Sequence, residues 1–124
     1  AAALVQAKNF VAAAELLKKL AAAEPENATI RANLATALFQ LRRYAEAKAE
    51  FRWLIDRQPE LAAAYYFLGV AHDNLGEYLD AMANYQEFLR RAKIAEFKDE
   101  IDRINLRLPA LDRQIKADKG KKAN

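Results

Sequence analysis

The sequence predicts an all-α solenoid built from antiparallel helix pairs, and three observations carry that expectation. Ala and Leu supply 28 and 16 of the 124 residues, against 3 Val, 6 Ile and 2 Thr. Ala and Leu favour helices, whereas β-branched residues favour strands. Size-matched residues also recur at 34-residue intervals: Phe10, Tyr44 and Tyr78; Ala13, Ala47 and Ala81; Leu17, Phe51 and Tyr85; Leu20, Leu54 and Phe88. A period of that length marks stacked supersecondary units. Within each period, two stretches carry apolar residues at helical spacing, so each unit reads as a pair of amphipathic helices.

Taken in chain order, residues 1–7 read as the end of one helix and 10–23 as its partner, with Asn9 as the N-cap. Helices over 28–41 and 44–57 follow, then 62–75 and 78–92. Pro25 and Pro59 fall between pairs, where a missing N–H does no harm. Gly76 falls inside the third pair, where a residue of positive φ ends a helix cheaply. In that pair Leu68, Ala71, His72 and Leu75 form one stripe, and Ala81, Tyr85, Phe88 and Leu89 form the one facing it. Ala35 or Gly69, and Ala47 or Ala81, sit where paired helices come closest. A large side chain there would force them apart.

An array of this kind needs a cap with a polar outer face. Residues 95–118 fit that role. Ile94, Phe97, Ile101, Ile104, Leu108, Leu111 and Ile115 are spaced alternately three and four apart. That seam could serve a coiled coil or a terminal helix closing the solenoid. Pro109 favours the cap, because an interior proline costs about 3 kcal/mol and kinks a helix. A kink or break is therefore expected near residues 105–109. Residues 119–124 read as a flexible basic tail.

These residues resemble the tetratricopeptide repeat, whose pattern runs W-x2-L-G-x2-Y, then A-x3-F, then P. The third unit has Tyr65-x2-Leu68-Gly69-x2-His72 and Ala81-x3-Tyr85; the second has Arg31-x2-Leu34-Ala35-x2-Leu38, Ala47-x3-Phe51 and Pro59. Departures are Arg31 and Tyr65 for Trp, Ala35 for Gly, His72 and Leu38 for Tyr, and Lys93 for the last Pro. The resemblance implies a right-handed α-solenoid of about two and a half repeats plus a capping helix. It divides a single domain over 1–118 into a partial repeat 1–27, repeats 28–61 and 62–95, and the cap 95–118. The start reads as the middle of a helix, so a fragment of something longer is expected.

Composition excludes several chemistries. With no Cys and no Ser, there is no serine or cysteine nucleophile, disulfide or Cys-ligated zinc. His72 has no second His to complete a metal site, and it reads as a packed histidine. Asp99, Glu100 and Asp102, with Glu96 a turn earlier, read as a solvated face. No metal, cofactor or catalytic residue is expected, and the chain reads as a non-enzyme. The net charge is +3 with the signs interspersed, so no nucleic-acid stripe is expected. No apolar run approaches the roughly 20 residues that span a bilayer, so membrane insertion is not expected. A soluble chain, cytoplasmic or periplasmic, fits this inventory.

The function implied by the resemblance is binding of a partner's peptide or helix in the concave groove lined by first helices. Carried over by repeat position, that groove takes Thr29, Ala32, Thr36, Phe39 and Gln40 from the second repeat. The third contributes Ala63, Tyr66, Val70, Asp73 and Asn74, and the partial first contributes Val5 and Gln6. Family members that clamp a chaperone's C-terminal carboxylate use Lys, Arg and Asn here. Asn33 matches one clamp asparagine, but Ala63 and Phe67 stand at cationic positions, so such a clamp is not expected. Trp53 stands where the sibling repeats carry Lys19 and Glu87. It either packs across Arg57 or serves as a convex aromatic anchor. The alternative function is self-association into homodimers through the exposed first repeat, Trp53 or the heptad helix.

Overall fold

In a computed structural model, the backbone is described for residues 2–123 and the side chains for residues 8–120. Six helices follow one another: α1 (Ala2–Ala23), α2 (Ala28–Gln40), α3 (Tyr44–Arg57), α4 (Ala62–Asn74), α5 (Tyr78–Arg91) and α6 (Lys98–Ala123). Among the described residues there is no strand. The chain forms two compact units, 1–59 and 60–124.

In the first unit α1 packs on α2, and α2 on α3. The α2 start is capped by Asn27, whose Oδ1 accepts the Ile30 N–H at 3.2 Å. Its core is Ala14, Leu34, Ala35, Ala37, Leu38, Ala47, Phe51 and Leu54. The hairpin turn is a Schellman motif: Arg43 N–H donates to Leu38 O at 2.9 Å, and Arg42 N–H to Phe39 O at 3.0 Å. Arg42 takes φ 60° to close it. The expected break after residue 7 does not form. Lys8 and Asn9 lie inside one continuous α1, so Asn9 is not an N-cap.

The second unit repeats the hairpin. Glu77 N–H donates to His72 O at 2.9 Å and Gly76 N–H to Asp73 O at 3.1 Å, with Gly76 at φ 76° as expected. The helices of this pair approach so closely that a Cβ on Gly69 would lie 2.6 Å from Tyr85 Cδ1. The α6 helix packs on α5. Ile104, Leu111 and Ile115 of its seam are buried, and Phe97 meets Phe88 edge-on at 5.4 Å.

At Pro109 the helix does not break, nor does it stop at residue 118; it runs unbroken to Ala123. Pro109 is exposed while Leu111 and Ile115 beyond it are buried. Burying two large aliphatic side chains is worth about 1.5–3 kcal/mol each, enough to offset the proline. The residues expected to form a flexible tail are thus helical up to Ala123. Among the described residues, no helix is long and apolar enough to cross a membrane.

Candidate partner-binding surface

On α2, positions 29, 32, 36 and 39–40 share one helical face through three- and four-residue steps. Thr29, Thr36 and Gln40 are exposed there, and Ala32 is half-buried. The Thr36 hydroxyl donates to its own helix, to Ala32 O at 3.0 Å. Phe39 is half-buried, edge-on to Tyr44 at 5.6 Å and to Phe51 at 6.3 Å. This face therefore offers two hydroxyls, one amide and the flank of a ring. Asn33, the one matching clamp residue, is exposed as well. Val5 and Gln6 lie outside the described side chains.

On α4 the equivalent face is differently occupied. Ala63 and Val70 are half-buried and Asn74 is exposed, with its amide donating to Val70 O at 2.8 Å. Asp73 receives both Arg107 donors, Nη2 on Oδ1 at 2.7 Å and Nε on Oδ2 at 2.8 Å. The Tyr85 hydroxyl donates to Asp73 Oδ2 at 3.0 Å. Tyr66 lies against Phe67 and Phe88, both at 5.4 Å between ring centres. It also accepts a hydrogen bond from Arg103, whose guanidinium is thereby raised above its ordinary pKa.

Electrostatics follow from these contacts. The hydrogen bond to Asp73 raises the Arg107 guanidinium. Burial first, and then the charge of Asp73 and the hydrogen bond to it, push the Tyr85 phenol well above the ordinary tyrosine range. Asp73 is therefore a neutralised acid held by α6. Sequence reasoning missed Arg103 and Arg107. The signal was there, because Arg107 lies 34 residues after Asp73 and so one repeat step on.

Trp53 is half-buried on α3. Arg57 stands over its ring at 3.8 Å and Arg31 at 4.6 Å. Arg31 is paired with Glu50 at 2.8 Å and Arg57 with Glu26 at 3.1 Å. The packing across Arg57 read from the sequence is present, with a second arginine added.

His72 is 3% exposed; its Nδ1 lies 2.9 Å from Glu77 Oε1, while Nε2 has no hydrogen-bond partner among the described residues. Among the described residues, no three His, Cys, Asp or Glu come together as metal ligands would. Two shallow depressions in the second unit lie elsewhere. One is lined by Leu79, Asp80, Ile115 and Lys119, the other by Leu61, Arg91, Lys93 and Phe97.

Comparison with known proteins adds three findings. A family model described as tetratricopeptide repeat matches residues 1–47 and 33–94. The chain is 32% identical over 83 residues to an Hsp70-Hsp90 organizing protein of Triticum aestivum, a match covering 67% of this chain and 14% of that protein. The chain thus spans a small part of that relative's length. Among solved structures, a MamA RS-1 ArsTM double mutant superposes with a TM-score of 0.71 at 15% identity, over 98% of this chain and 72% of the other. A second structure, MamA MSR-1 C2, gives 0.68 at 22% identity over 94% and 72%. A third, MamA 41-end from Desulfovibrio magneticus RS-1, gives 0.68 at 16% identity over 92% and 71%.

Proposed function

From a chain that belongs to the tetratricopeptide repeat family, we propose a protein–protein interaction module that recognises a peptide or helix of a partner on its first-helix faces. The family is in general a non-catalytic scaffold, and the mechanism is recognition without chemistry. One observation carries the reading. The α2 face keeps Thr29, Thr36 and Gln40 exposed in one line beside the half-buried ring of Phe39. Rigid aromatics flanked by adaptable polar groups suit peptide capture.

On α4, Asn74 and the outer edges of Tyr66 and Val70 extend the reading. Asp73 contributes little charge, since Arg107 already answers it. A partner that places an arginine there would have to displace α6. The preferred ligand is therefore uncharged and apolar, with backbone or side-chain donors for the two threonines and the amides.

Selection from a peptide-display library on the intact chain supplies ligands for the test. Thr36→Arg and Asn74→Arg block the two faces without touching the core. Each is expected to weaken selected peptides about tenfold, with Phe39→Ala similar, the loss of one anchor contact. If all three variants keep their helical circular dichroism and bind as the unaltered chain does, these faces are not the binding surface.

Self-association through the heptad seam would have to use what its buried Ile104, Leu111 and Ile115 leave free, chiefly Ile94, which is 76% exposed.

A further inference from the structure

Within the two first helices, α2 and α4, Asp73 is the only acidic residue. It shares the α4 face with Tyr66, Val70 and Asn74, so the fate of its carboxylate sets the negative charge that this face presents. Two groups answer it. The phenol of Tyr85, a residue only 4% exposed, donates to Oδ2 at 3.0 Å and holds that oxygen from the core side. Arg107 adds a forked pair of bonds, Nη2 to Oδ1 at 2.7 Å and Nε to Oδ2 at 2.8 Å. Asp73 and Tyr85 together thus form a seat shaped for a guanidinium.

Holding α6 in place does not require that fork. Arg107 stands between Ile104, three residues before it and 1% exposed, and Leu111, four residues after it and 0% exposed, with Ile115 buried a turn further on. The helix packs on α5 with these side chains buried. The Arg107 side chain is itself 37% exposed, and an ion pair contributes little net stability beside apolar packing. Its effect on charge is complete by contrast, because both oxygens of the only first-helix acid are already bonded.

We infer that Arg107 is a specificity-determining residue of the α4 face: it occupies the Asp73–Tyr85 guanidinium seat from within the chain and so excludes arginine-bearing segments of partner proteins in favour of uncharged ones. The inference rests on the proposed peptide recognition and adds to it a selection against cationic ligands.

The selection works by penalising the wrong ligand. An arriving arginine finds the fork already filled. Arg103 stands a turn earlier on α6, hydrogen-bonded to Tyr66, and Asp99 and Glu100 answer it only through space from its own helix. The arriving cation is therefore desolvated beside two guanidinium groups, with no free carboxylate to pair with. A neutral segment loses nothing to either arginine. On α2 the position of Asp73 is taken by Phe39, which needs no such guard.

Two probes read the seat. One is N-ethylguanidinium chloride, followed by the amide chemical shifts of the intact chain. The other is an arginine scan of peptides selected on the unaltered chain. Arg107→Ala is expected to keep its helical circular dichroism and to bind ethylguanidinium saturably, with shifts centred on Asp73 and Asn74, where the unaltered chain shows none. In the scan, at least one Arg-substituted peptide should bind Arg107→Ala about tenfold tighter than the unaltered chain. Adding Asp73→Asn should erase both gains. Arg107→Lys still sets a point charge beside Asp73, and should go on excluding arginine. Loss of helix in Arg107→Ala overturns the inference, because the clasp is then a structural one. So does an arginine response unchanged by Arg107→Ala, or ethylguanidinium that binds both proteins or neither. Failure to select any peptide on the unaltered chain strikes the recognition reading, and this role with it. Ethylguanidinium needs no peptide, so the two failures are told apart.

Discussion

Arg42 holds a left-handed backbone with a full side chain attached, a conformation that costs an L-residue about 1–2 kcal/mol. Its counterpart Gly76 closes the same turn without that cost. Arg42→Gly should therefore raise stability by roughly 0.5–1 kcal/mol once the extra chain entropy of glycine is counted; chemical denaturation would show a higher midpoint at unchanged slope. The left-handed turn was legible at Gly76, where glycine announces it, and hidden at Arg42, where the hydrogen-bonded turn imposes it on an arginine.

Tyr85 gives a residue-scale prediction with a defined sign. Its phenol is held above the ordinary value of 10.0 by burial and by Asp73. A raised folded pKa contributes stability that is fully present below the unfolded pKa and is lost as pH rises above about 10. Tyr85→Phe should cost about 1.5–3 kcal/mol near neutrality, the worth of a hydrogen bond to a carboxylate. It should also flatten the alkaline loss. Thermal melts of both proteins between pH 7 and 11 check this, and parallel slopes would refute it.

Elements show where pattern reading succeeds and where it stops. Helices α2 to α5 were legible to within about a residue, because apolar spacing, Pro25, Pro59 and Gly76 agree. The α6 seam was legible too, as its Ile104, Leu111 and Ile115 are buried. Its continuity was not, because a proline rule is local, whereas the seam on both sides of Pro109 is held by tertiary burial. Pro109→Ala should add about 1–3 kcal/mol, since it restores a helical N–H at an exposed position and removes a ring clash. Slower amide exchange across residues 105–113 is the expected reading. Likewise α1 was not foreseen as one helix, because the repeat spacing put a turn at Lys8 and Asn9, where neither residue interrupts a helix and α1 runs on.

Across the whole molecule the two compact units carry opposite pH sensitivities. In the first, hydrogen bonds from Arg43 and then Lys18 hold the Glu46 carboxyl below the usual 4.5. A depressed carboxylate contributes stability that is present above its unfolded pKa and lost as pH falls through the folded one. Glu46 is well exposed, so the effect is modest and screened by salt. The second unit's counterpart is Tyr85, which acts at the alkaline end. Hydrogen exchange in mild acid should show α1 to α3 losing protection in a way that Glu46→Gln blunts and Tyr85→Phe does not. The candidate site was only half legible at this scale. Both first-helix faces followed from the repeat register, but the neutralisation of Asp73 required knowing that α6 keeps that register beyond the last full repeat.

The clasp between Asp73 and Arg107 spans 34 residues, and that has a consequence for lengthening the array by gene duplication. A copy of residues 62–95 inserted before residue 96 would hand Arg107 a fresh aspartate, and the terminal helix would seat as before. A copy of residues 28–61 inserted there would present Phe39 at that position and leave the guanidinium without its anion. The terminal helix thus accepts one parent module and refuses the other, so growth of the chain at this end is grammatical only when the duplicated unit ends in the right letter.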